Sequence, residues 1–388
     1  MLRFEVIHNI PSPYRLHMFR VMARDLTARG VTMRVHFMAQ SHSDRPKGWA
    51  TVDGDLGFAS VFHQDRGFRL GGRALHWNPS VLTALRAERP DWLLVGGPWD
   101  SVTAGLVTMV SPRRRGIAWF ESNTQTPGRL GFPLGNFKRM LLRRYQVFAV
   151  PGQDGVAYTK LLFGGGELTG TMAVLPNIID ETVFKAPLPA AILAGRQFFR
   201  AIGVPAENRV AFWPARLVEA KGIQPMLRVL AAVAPKGWSV VLLGEGPLRE
   251  QIVATIAELG LGDIVRVVPY LDYAAMPGLY HASSLFLLAS MHDPNPLSIV
   301  EAMHSGLPLL VSRRIGNFAE ALQEGANGWA FDPTDAEAAI LQAKKAFAAE
   351  PERLSQMGGR SRILARKSWD SEATVARFLD LALGPKLE

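Results

Sequence analysis

The sequence predicts an α/β protein with two domains, each a doubly wound parallel sheet covered by helices. Short apolar runs alternate with helical patterns in two successive series, as parallel strands joined by helices do. The chain has 388 residues, 48% of them hydrophobic, which is too long for one ordinary core. Between residues 176 and 210, prolines and glycines punctuate a segment without a strand pattern, so we place the domain boundary there.

The first series opens with a strand at Leu2 to Asn9, which prolines break before a helical pattern at Leu16 to Leu26. Residues 40 to 80 have no clear period and receive no assignment. Further strands of this series are expected at Thr32 to Ala39, Trp92 to Gly96, Gly116 to Glu121 and Val147 to Val150.

The second series repeats this alternation of strands and helices. Its strands are expected at Val210 to Trp213, Trp238 to Leu243, Ile264 to Val268, Leu285 to Ala289 and Leu307 to Val311. Its helices are expected at Gln224 to Val233, Leu248 to Leu259, Thr334 to Ala349 and Glu372 to Leu383. The predicted domains are residues 1–185 and 186–366, followed by a segment, 367–388, whose helix crosses back to the first domain.

Composition limits the classes of protein that fit. With 43 Lys and Arg against 34 Asp and Glu, the formal charge of +9 favours phosphates, anionic lipid or nucleic acid as partners. The absence of cysteine excludes disulfides, thiolate metal sites and a cysteine nucleophile, and it fits an intracellular protein. Histidine spacings match no metal-binding motif. We expect neither a secretory leader nor a membrane span, since no such pattern is present.

The segment from Ser290 to Ser312 contains two carboxylates at a predicted strand end. Ligands of open parallel sheets bind outside the carboxyl ends of strands. Asp293 falls in the turn after a strand, and Glu301 falls in the first turns of the following helix. A carboxylate there can accept hydrogen bonds from two neighbouring hydroxyls, such as those of a ribose.

Two cations and a pair of glycines mark earlier loops of the same domain. Arg216 and Lys221 precede a helix, and two cations at that position suit the binding of a diphosphate. The alternative is that they are two solvated cations on the surface. Gly244 and Gly246, in LLGEGP, permit a tight turn and close backbone approach, although this signal is weak by itself.

Taken together, ARLVEAKGI, LLGEGP, VVPYLDYAAMPGLYHASSLFLLAS and DPNPLSIVEAMHSGLPLLVS resemble the retaining glycosyltransferases of family 4. The resemblance implies a GT-B fold, which is two facing Rossmann-like domains with a cleft between them, and a nucleoside-diphosphate sugar as donor. It also implies that Arg216 and Lys221 hold the diphosphate, that Asp293 lies near the transferred sugar, and that Glu301 binds the ribose.

The resemblance implies further donor contacts from Gly244, Leu271, Tyr273, Asn295 and Leu297. Of these, Leu271 and Tyr273 are the candidates for contact with the base. The sequence departs from the family where Asp293 replaces the first Glu of an E-x7-E pair. It departs again where Asn295 and Pro296 replace the usual Phe-Gly, because Pro296 has no backbone N–H to offer the sugar.

The first domain resembles the family less closely. Its opening, NIPSPYRLHMF, is similar to one subgroup's replacement for the usual glycine-rich loop. Glu121 stands where many members have a histidine. Its carboxylate fits two interpretations, a contact with a donor or acceptor hydroxyl that makes it a catalytic candidate, or a solvated strand end.

A basic segment, residues 137–145 (FKRMLLRRY), interleaves cations with apolar residues. Its cations are Lys138, Arg139, Arg143 and Arg144. It fits a helix lying on anionic lipid, or an ordinary surface helix whose Leu141 and Leu142 join the core. With the three arginines at 113–115 it gives the first domain a basic face.

The predicted function is retaining, metal-independent transfer of a hexose from a nucleoside-diphosphate sugar to a glycan or lipid-linked acceptor, as in bacterial polysaccharide or lipopolysaccharide synthesis. We expect no cofactor besides this donor substrate, no nucleic acid, and a cytoplasmic location with an anionic membrane surface as a candidate partner on the inner face. Two alternatives stay open. One is another GT-B enzyme, such as a nucleotide-sugar epimerase or a phosphorylase. The other is a basic nucleic-acid-binding protein, against which the dispersed cations argue.

Overall fold

The computed structural model describes residues 2–40, 55–70, 73–99, 101–110, 116–124, 134–164 and 170–384. The chain divides into two compact units, Met1–Ile178 with Ser371–Glu388 (unit 1) and Ile179–Asp370 (unit 2). The domain limits drawn from the sequence stay predictions.

Strands and helices alternate along both units. The strands are β1 (Leu2–His8), β2 (Val31–Phe37), β3 (Ala59–Phe62), β4 (Phe68–Leu70), β5 (Arg73–Leu75), β6 (Trp92–Gly96), β7 (Gly116–Trp119), β8 (Val147–Val150), β9 (Thr171–Val174), β10 (Arg209–Pro214), β11 (Trp238–Leu243), β12 (Val265–Val268), β13 (Leu285–Leu288), β14 (Leu309–Ser312) and β15 (Gly328–Phe331). The helices are α1 (Pro13–Ala28), α2 (Pro79–Glu88), α3 (Val102–Val110), α4 (Leu134–Leu142), α5 (Gln153–Leu162), α6 (Thr182–Lys185), α7 (Pro189–Ala201), α8 (Ile223–Val233), α9 (Arg249–Glu258), α10 (Met276–His281), α11 (Leu297–Ser305), α12 (Phe318–Ala321), α13 (Ala336–Phe347), α14 (Pro351–Trp369) and α15 (Ser371–Leu383).

Unit 1 is built on a parallel sheet whose described strands run in the order β3-β2-β1-β6-β7-β8-β9. Strands β6, β7 and β8 are apolar because helices cover both faces of the sheet, whereas β1 contains the buried Glu5. One face packs against α1 and α15, and the other against α2 to α5. Helix α15 contacts α1 and β9, and Ser371 Oγ at its first residue lies 3.0 Å from His17 Nε2.

Unit 2 is built on a second parallel sheet, with the order β12-β11-β10-β13-β14-β15 in the described residues. The chain starts this sheet at β10, moves outward to β12, and then returns to the other side of β10 with β13. This is the strand order of a Rossmann-like sheet, and its direction reverses between β10 and β13. The loops after those two strands therefore flank the place where such sheets bind ligands.

The structure confirms the predicted strands of both series and adds elements that the sequence patterns concealed. Strands β3, β4, β5, β9 and β15 were missed. Strands β3 and β9 are exposed edge strands, β4 and β5 have three residues each, and β15 opens with a glycine. Helix α14 was missed too, although it is 19 residues long. It contains Gly358 and Gly359, and a Cβ on Gly358 would lie 2.0 Å from Gly306 O. The glycine at 358 allows α14 to pack closely against the end of α11. Glycine is also a weak helix former, so the two glycines obscure the helical pattern in the sequence.

No helix in the described part of the chain is long and apolar enough to cross a membrane.

Both units contain buried histidines. His304, on α11, is 1% exposed, and burial lowers its pKa from 6.5 to about 4, although the Glu181 carboxylate opposes this shift.

Replacing His304 by Gln should reduce the loss of stability in acid. The folded state disfavours protonated His304, so the unfolded state binds the proton more readily as the pH falls below 6.5. Urea unfolding at pH 7 and pH 5 should show His304→Gln losing roughly 1–2 kcal/mol less than the parent between these values. Any loss of packing appears at pH 7, where the histidine is neutral. An equal pH dependence in both proteins would contradict the assignment.

Candidate active site

Three loops of unit 2 pack together at the carboxyl ends of β10, β11 and β13. They are loop A (215–222), loop B (244–248) and loop C (289–296). In loops A and B, Leu217 N donates to Glu245 O at 2.8 Å and Leu248 N donates to Leu217 O at 3.1 Å. Between loops A and C, Met291 N donates to Ala220 O at 2.9 Å. Because these bonds join main chains, the positions of side chains on the three loops are coupled.

Glycines permit this close packing. Gly222 has a φ of +62°, and a Cβ there would lie 2.0 Å from Ala289 O in loop C. A Cβ on Gly244 would lie 2.0 Å from Ala215 O in loop A. The predicted role of Gly244 in a tight loop therefore has a clear physical basis, while its contact with a donor stays a prediction.

The packing of loops A and C brings two of the predicted site residues together. Lys221 Nζ forms an ion pair with Asp293 Oδ2, and their side chains are 17% and 12% exposed. The main chain of Asp293 is held from the other side, where Gly316 N donates to Asp293 O at 2.9 Å. Arg216, in loop A, is exposed and has no ion-pair partner in the part of the chain that the structure describes.

Asn295 is a buried amide at the end of loop C. It is 8% exposed, and neither its Oδ1 nor its Nδ2 has a hydrogen-bond partner among the described residues. Pro296 follows, and its carbonyl accepts a hydrogen bond of 3.1 Å from Asn317 Nδ2. Leu297 begins α11 and is half-buried. An unpaired buried amide is costly, and Asn295 lacks a compensating partner among the described residues. Its contact with a donor stays a prediction.

Glu301 lies on α11 with its carboxylate enclosed by two tyrosines. Tyr273 Oη donates to Glu301 Oε1 at 3.0 Å, and Tyr280 Oη donates to Glu301 Oε2 at 2.7 Å. Burial raises the pKa of Glu301, and the two tyrosine hydroxyls oppose that shift. The same burial, together with the neighbouring carboxylate, raises the pKa of both tyrosines, so their hydroxyls are donors at neutral pH.

The candidates for base contact lie on the segment that follows β12. Leu271 is half-buried against the core of unit 2. Tyr273 is 37% exposed, and its ring packs edge-on to Phe184 at 5.9 Å between centroids. The structure thus brings Tyr273 and Glu301 into direct contact, which the sequence did not indicate.

In unit 1, Glu121 is engaged by a buried arginine. Arg15, 4% exposed, donates to Glu121 Oε1, and its guanidinium carbon lies 4.2 Å from the centroid of the Trp119 ring. Both charged residues line a cavity of about 230 Å³ at the carboxyl ends of β1, β6 and β7. Since the Glu121 side chain is 38% exposed, it can still reach a ligand.

Sequence reasoning missed Arg15 and Tyr280. Arg15 lies in the first turn of α1, where a basic residue reads as a surface cation. Tyr280 lies in an apolar stretch of α10, where an aromatic residue reads as core. Neither has a local pattern that reveals its partner, because those partners are 106 and 21 residues away in the chain.

Comparison with known proteins finds similarity to glycosyltransferases, strongest in unit 2. Residues 196–362 match the family model described as glycosyl transferases group 1. The chain is 25% identical over 252 residues to 2-deoxystreptamine N-acetyl-D-glucosaminyltransferase of Streptomyces fradiae, covering 60% of this chain and 58% of that one. It is 27% identical over 186 residues to GDP-mannose:cellobiosyl-diphosphopolyprenol alpha-mannosyltransferase of Komagataeibacter xylinus, covering 46% of this chain and 47% of that one. The chain thus spans less than two thirds of the length of these curated relatives.

Solved structures extend the likeness to the whole fold. Anabaena Alr3699/HepE, solved in complex with UDP and glucose, matches with a TM-score of 0.74 and 17% identity, covering 98% of this chain and 99% of that chain. The protein therefore has the GT-B fold of glycosyltransferases, as predicted. The match to the group 1 glycosyltransferases covers residues 196–362, within unit 2, and the expected resemblance to family 4 is consistent with it.

Gly222→Ala should destabilise unit 2 and separate loop A from loop C. Gly260→Ala is a matched control, because Gly260 has a φ of +65° but a Cβ there meets nothing within 4 Å. In each variant, placing an alanine in the left-handed backbone conformation should lower the free energy of unfolding by roughly 1–2 kcal/mol. Gly222→Ala should lose a further 1–3 kcal/mol or so from overpacking, measured by urea unfolding. Equal losses in the two variants would show that the close approach to Ala289 O relaxes freely.

Proposed function

We propose that the protein is a glycosyltransferase that moves a sugar from a nucleoside-diphosphate sugar to a glycan or lipid-linked acceptor, with retention and without a metal ion. The observation that carries this proposal is the Lys221–Asp293 pair, held between loops A and C of a group 1 glycosyltransferase unit and accompanied by the exposed Arg216. Relatives support the donor class, because GDP-mannose is named for one and UDP with glucose was found with another.

The two cations suit a diphosphate leaving group. Cleavage of the sugar–phosphate bond leaves additional negative charge on the diphosphate, and cations already in place stabilise that charge most in the transition state. Arg216 offers a planar fork of donors, and Lys221 offers a compact charge. Because fixed side chains supply this positive charge, the proposed reaction needs no metal ion for the same purpose.

Asp293 has two roles in this proposal. It holds Lys221 in place before the donor arrives. Its carboxylate is also proposed to contact the transferred sugar, as the resemblance implies. The buried amide of Asn295, two residues on, supplies one acceptor and two donors for sugar hydroxyls. These side-chain groups compensate for the backbone N–H that Pro296 lacks. Gly244 and Leu297 complete the proposed donor contacts.

Glu301 is proposed to bind the ribose, with the ring of Tyr273 and the side chain of Leu271 against the base. Retention follows the family mechanism, in which the acceptor attacks from the face that the diphosphate leaves. In that mechanism no carboxylate acts as a nucleophile, so Asp293 and Glu121 are proposed to orient hydroxyls. Glu121, held by Arg15, would then contact the acceptor in the 230 Å³ cavity of unit 1.

A surface on α3 and α4 supports a lipid-linked acceptor. Four exposed apolar side chains lie on it, Met109 (50%), Val110 (55%), Phe137 (44%) and Met140 (50%). Arg139 and Arg143 lie beside them along a groove. We propose that this basic–apolar surface docks on the anionic lipid of the inner face of the cytoplasmic membrane, as expected for bacterial envelope glycan synthesis.

The structure corrects the set of cations that was expected on this surface. Lys138 is 2% exposed, with its ammonium 4.7 Å from the centroid of the Trp99 ring and 3.1 Å from Tyr158 Oη. Arg144 is half-buried, and its Nε donates to Thr108 O at 2.8 Å. Leu141 and Leu142 are core residues, as predicted. The arginines at 113–115 lie outside the described residues.

Arg216→Ala should weaken the binding of a nucleoside diphosphate and slow sugar transfer together. A charge-assisted contact contributes about 1.5–3 kcal/mol, so affinity should fall on the order of 10- to 100-fold. Titration with UDP and GDP measures affinity, and turnover with the matching donor measures transfer. Arg228→Ala, which removes an exposed arginine from α8, is the control and should leave both unchanged. Unchanged turnover in Arg216→Ala would refute the diphosphate role.

The double variant Arg139→Ser/Arg143→Ser should release the protein from anionic vesicles. Each cation near such a surface contributes on the order of 1 kcal/mol, screened by salt. Arg196→Ser/Arg200→Ser is a matched control, because it removes two exposed arginines at the same spacing from α7 of unit 2. Sedimentation with phosphatidylglycerol vesicles at low salt compares the two. If both variants bind as the parent does, α4 is ordinary surface structure.

A further inference from the structure

The two tyrosines that donate to Glu301 differ in how firmly they are held. Tyr280 is 0% exposed and lies in the core of unit 2. Its ring packs within 6.3 Å of the rings of Phe184, Phe212 and Phe286. Its hydroxyl also lies 3.3 Å from Ser298 O in the first turn of α11. Moving this side chain would open a cavity in the core. Core packing therefore fixes the Tyr280 hydroxyl against Glu301 Oε2.

Tyr273 is held much more weakly. It starts the short 3-10 turn Tyr273–Ala275, which follows β12 and is stabilised by Asp272 Oδ1 accepting from Ala274 N at 3.1 Å. The residue is 37% exposed, and its ring contacts Phe184 edge-on. A rotation about the Tyr273 side-chain bonds therefore breaks the hydrogen bond to Glu301 Oε1 while the backbone turn stays intact.

The chemistry of Glu301 explains why such a partner is present. A buried carboxylate is destabilised unless hydrogen-bond donors satisfy its oxygens. Before a ligand binds, the hydroxyl of Tyr273 supplies the donor at Oε1. A ribose diol offers hydroxyl donors of the same type, so it can take over this oxygen without leaving the carboxylate unpaired.

We infer that Tyr273 is an exchangeable partner of Glu301, replaced by a ribose hydroxyl when the nucleotide binds, whereas Tyr280 is a fixed positioning residue. This inference rests on the proposed role of Glu301 in binding the ribose. Once released, the Tyr273 ring is free to lie against the base, which reconciles its predicted contact with its observed hydrogen bond. The nucleotide therefore competes with the Tyr273 hydroxyl for one carboxylate oxygen.

Competition gives the two tyrosine hydroxyls opposite effects on binding. Tyr273→Phe removes the competitor and keeps the ring, so nucleotide affinity should rise by about threefold or more. Tyr280→Phe removes the fixed donor at Oε2 and loosens the carboxylate, so affinity should fall by about threefold or more. A threefold change in affinity corresponds to about 0.7 kcal/mol at 1.4 kcal/mol per decade, which calorimetric titration measures.

The test is calorimetric titration of the full-length variants with UDP, or with GDP where UDP does not bind, and with the 2′,3′-dideoxy form of the same nucleotide. The dideoxy form has no ribose hydroxyl and cannot replace Tyr273. The tightening in Tyr273→Phe should therefore appear with UDP and vanish with dideoxy-UDP. Tyr270→Phe is the control, because Tyr270 is a residue of similar exposure (39%) near the same turn, and the loss of its hydroxyl should change neither affinity.

Glu301→Gln separates this inference from the function on which it rests. If Glu301→Gln leaves UDP affinity within about twofold, the ribose role itself fails and the exchange fails with it. If Glu301→Gln weakens binding but Tyr273→Phe weakens it too or leaves it unchanged, the ribose role stands and the exchange is wrong. Equal tightening for UDP and dideoxy-UDP would also overturn the exchange. Thermal unfolding of each variant checks that the fold is intact, and the result for Tyr273→Phe decides the question even if Tyr280→Phe does not fold.

Discussion

The ion pair between Lys221 and Asp293 is the contact on which the proposed donor site depends. It joins loop A to loop C beside the point where the order of the unit 2 sheet reverses. Breaking a buried ion pair on one side leaves an uncompensated charge, so each partner fixes the other. In the proposed site, the pair would therefore orient a cation for the phosphate and a carboxylate for the sugar before any ligand is bound.

Backbone packing makes this ion pair possible. Gly222 lets loop A approach loop C closely enough for Met291 N to bond Ala220 O, and Gly244 brings loop B against loop A. Main-chain hydrogen bonds between the loops thus position the charged side chains.

The carboxylate of Glu301 is also held by partners within the protein. Two tyrosine hydroxyls donate hydrogen bonds to it, and without them it would be buried and unpaired. In both places, polar groups are held ready by partners that a ligand would join or replace.

Local patterns in the sequence were sufficient to predict the two parallel sheets, with Asp293 in the loop after a strand and Glu301 in the following helix, and the GT-B fold followed from the resemblance to the family. Apolar strands that are covered on both faces leave a strong signal, while the exposed edge strands β3 and β9 leave a weak one. Contacts between distant residues were not predictable, because the Arg15–Glu121 and Tyr280–Glu301 contacts arise from tertiary packing. The burial of Lys138 was missed for a related reason, since its aromatic neighbours Trp99 and Tyr158 lie on other elements.

The central claim, that loops A, B and C form a site for a nucleoside diphosphate, is tested most directly by ligand-dependent thermal unfolding. The unmodified protein would be heated with UDP, GDP, ADP and dTDP, each paired with its monophosphate. We predict that one diphosphate raises the unfolding temperature in a concentration-dependent way and that its monophosphate does so less, because Arg216 and Lys221 are proposed to bind both phosphates. A ligand at about 100 times its Kd adds roughly 2.7 kcal/mol of stability. No stabilisation by any diphosphate at millimolar concentration, or equal stabilisation by the matching monophosphate, would contradict the account.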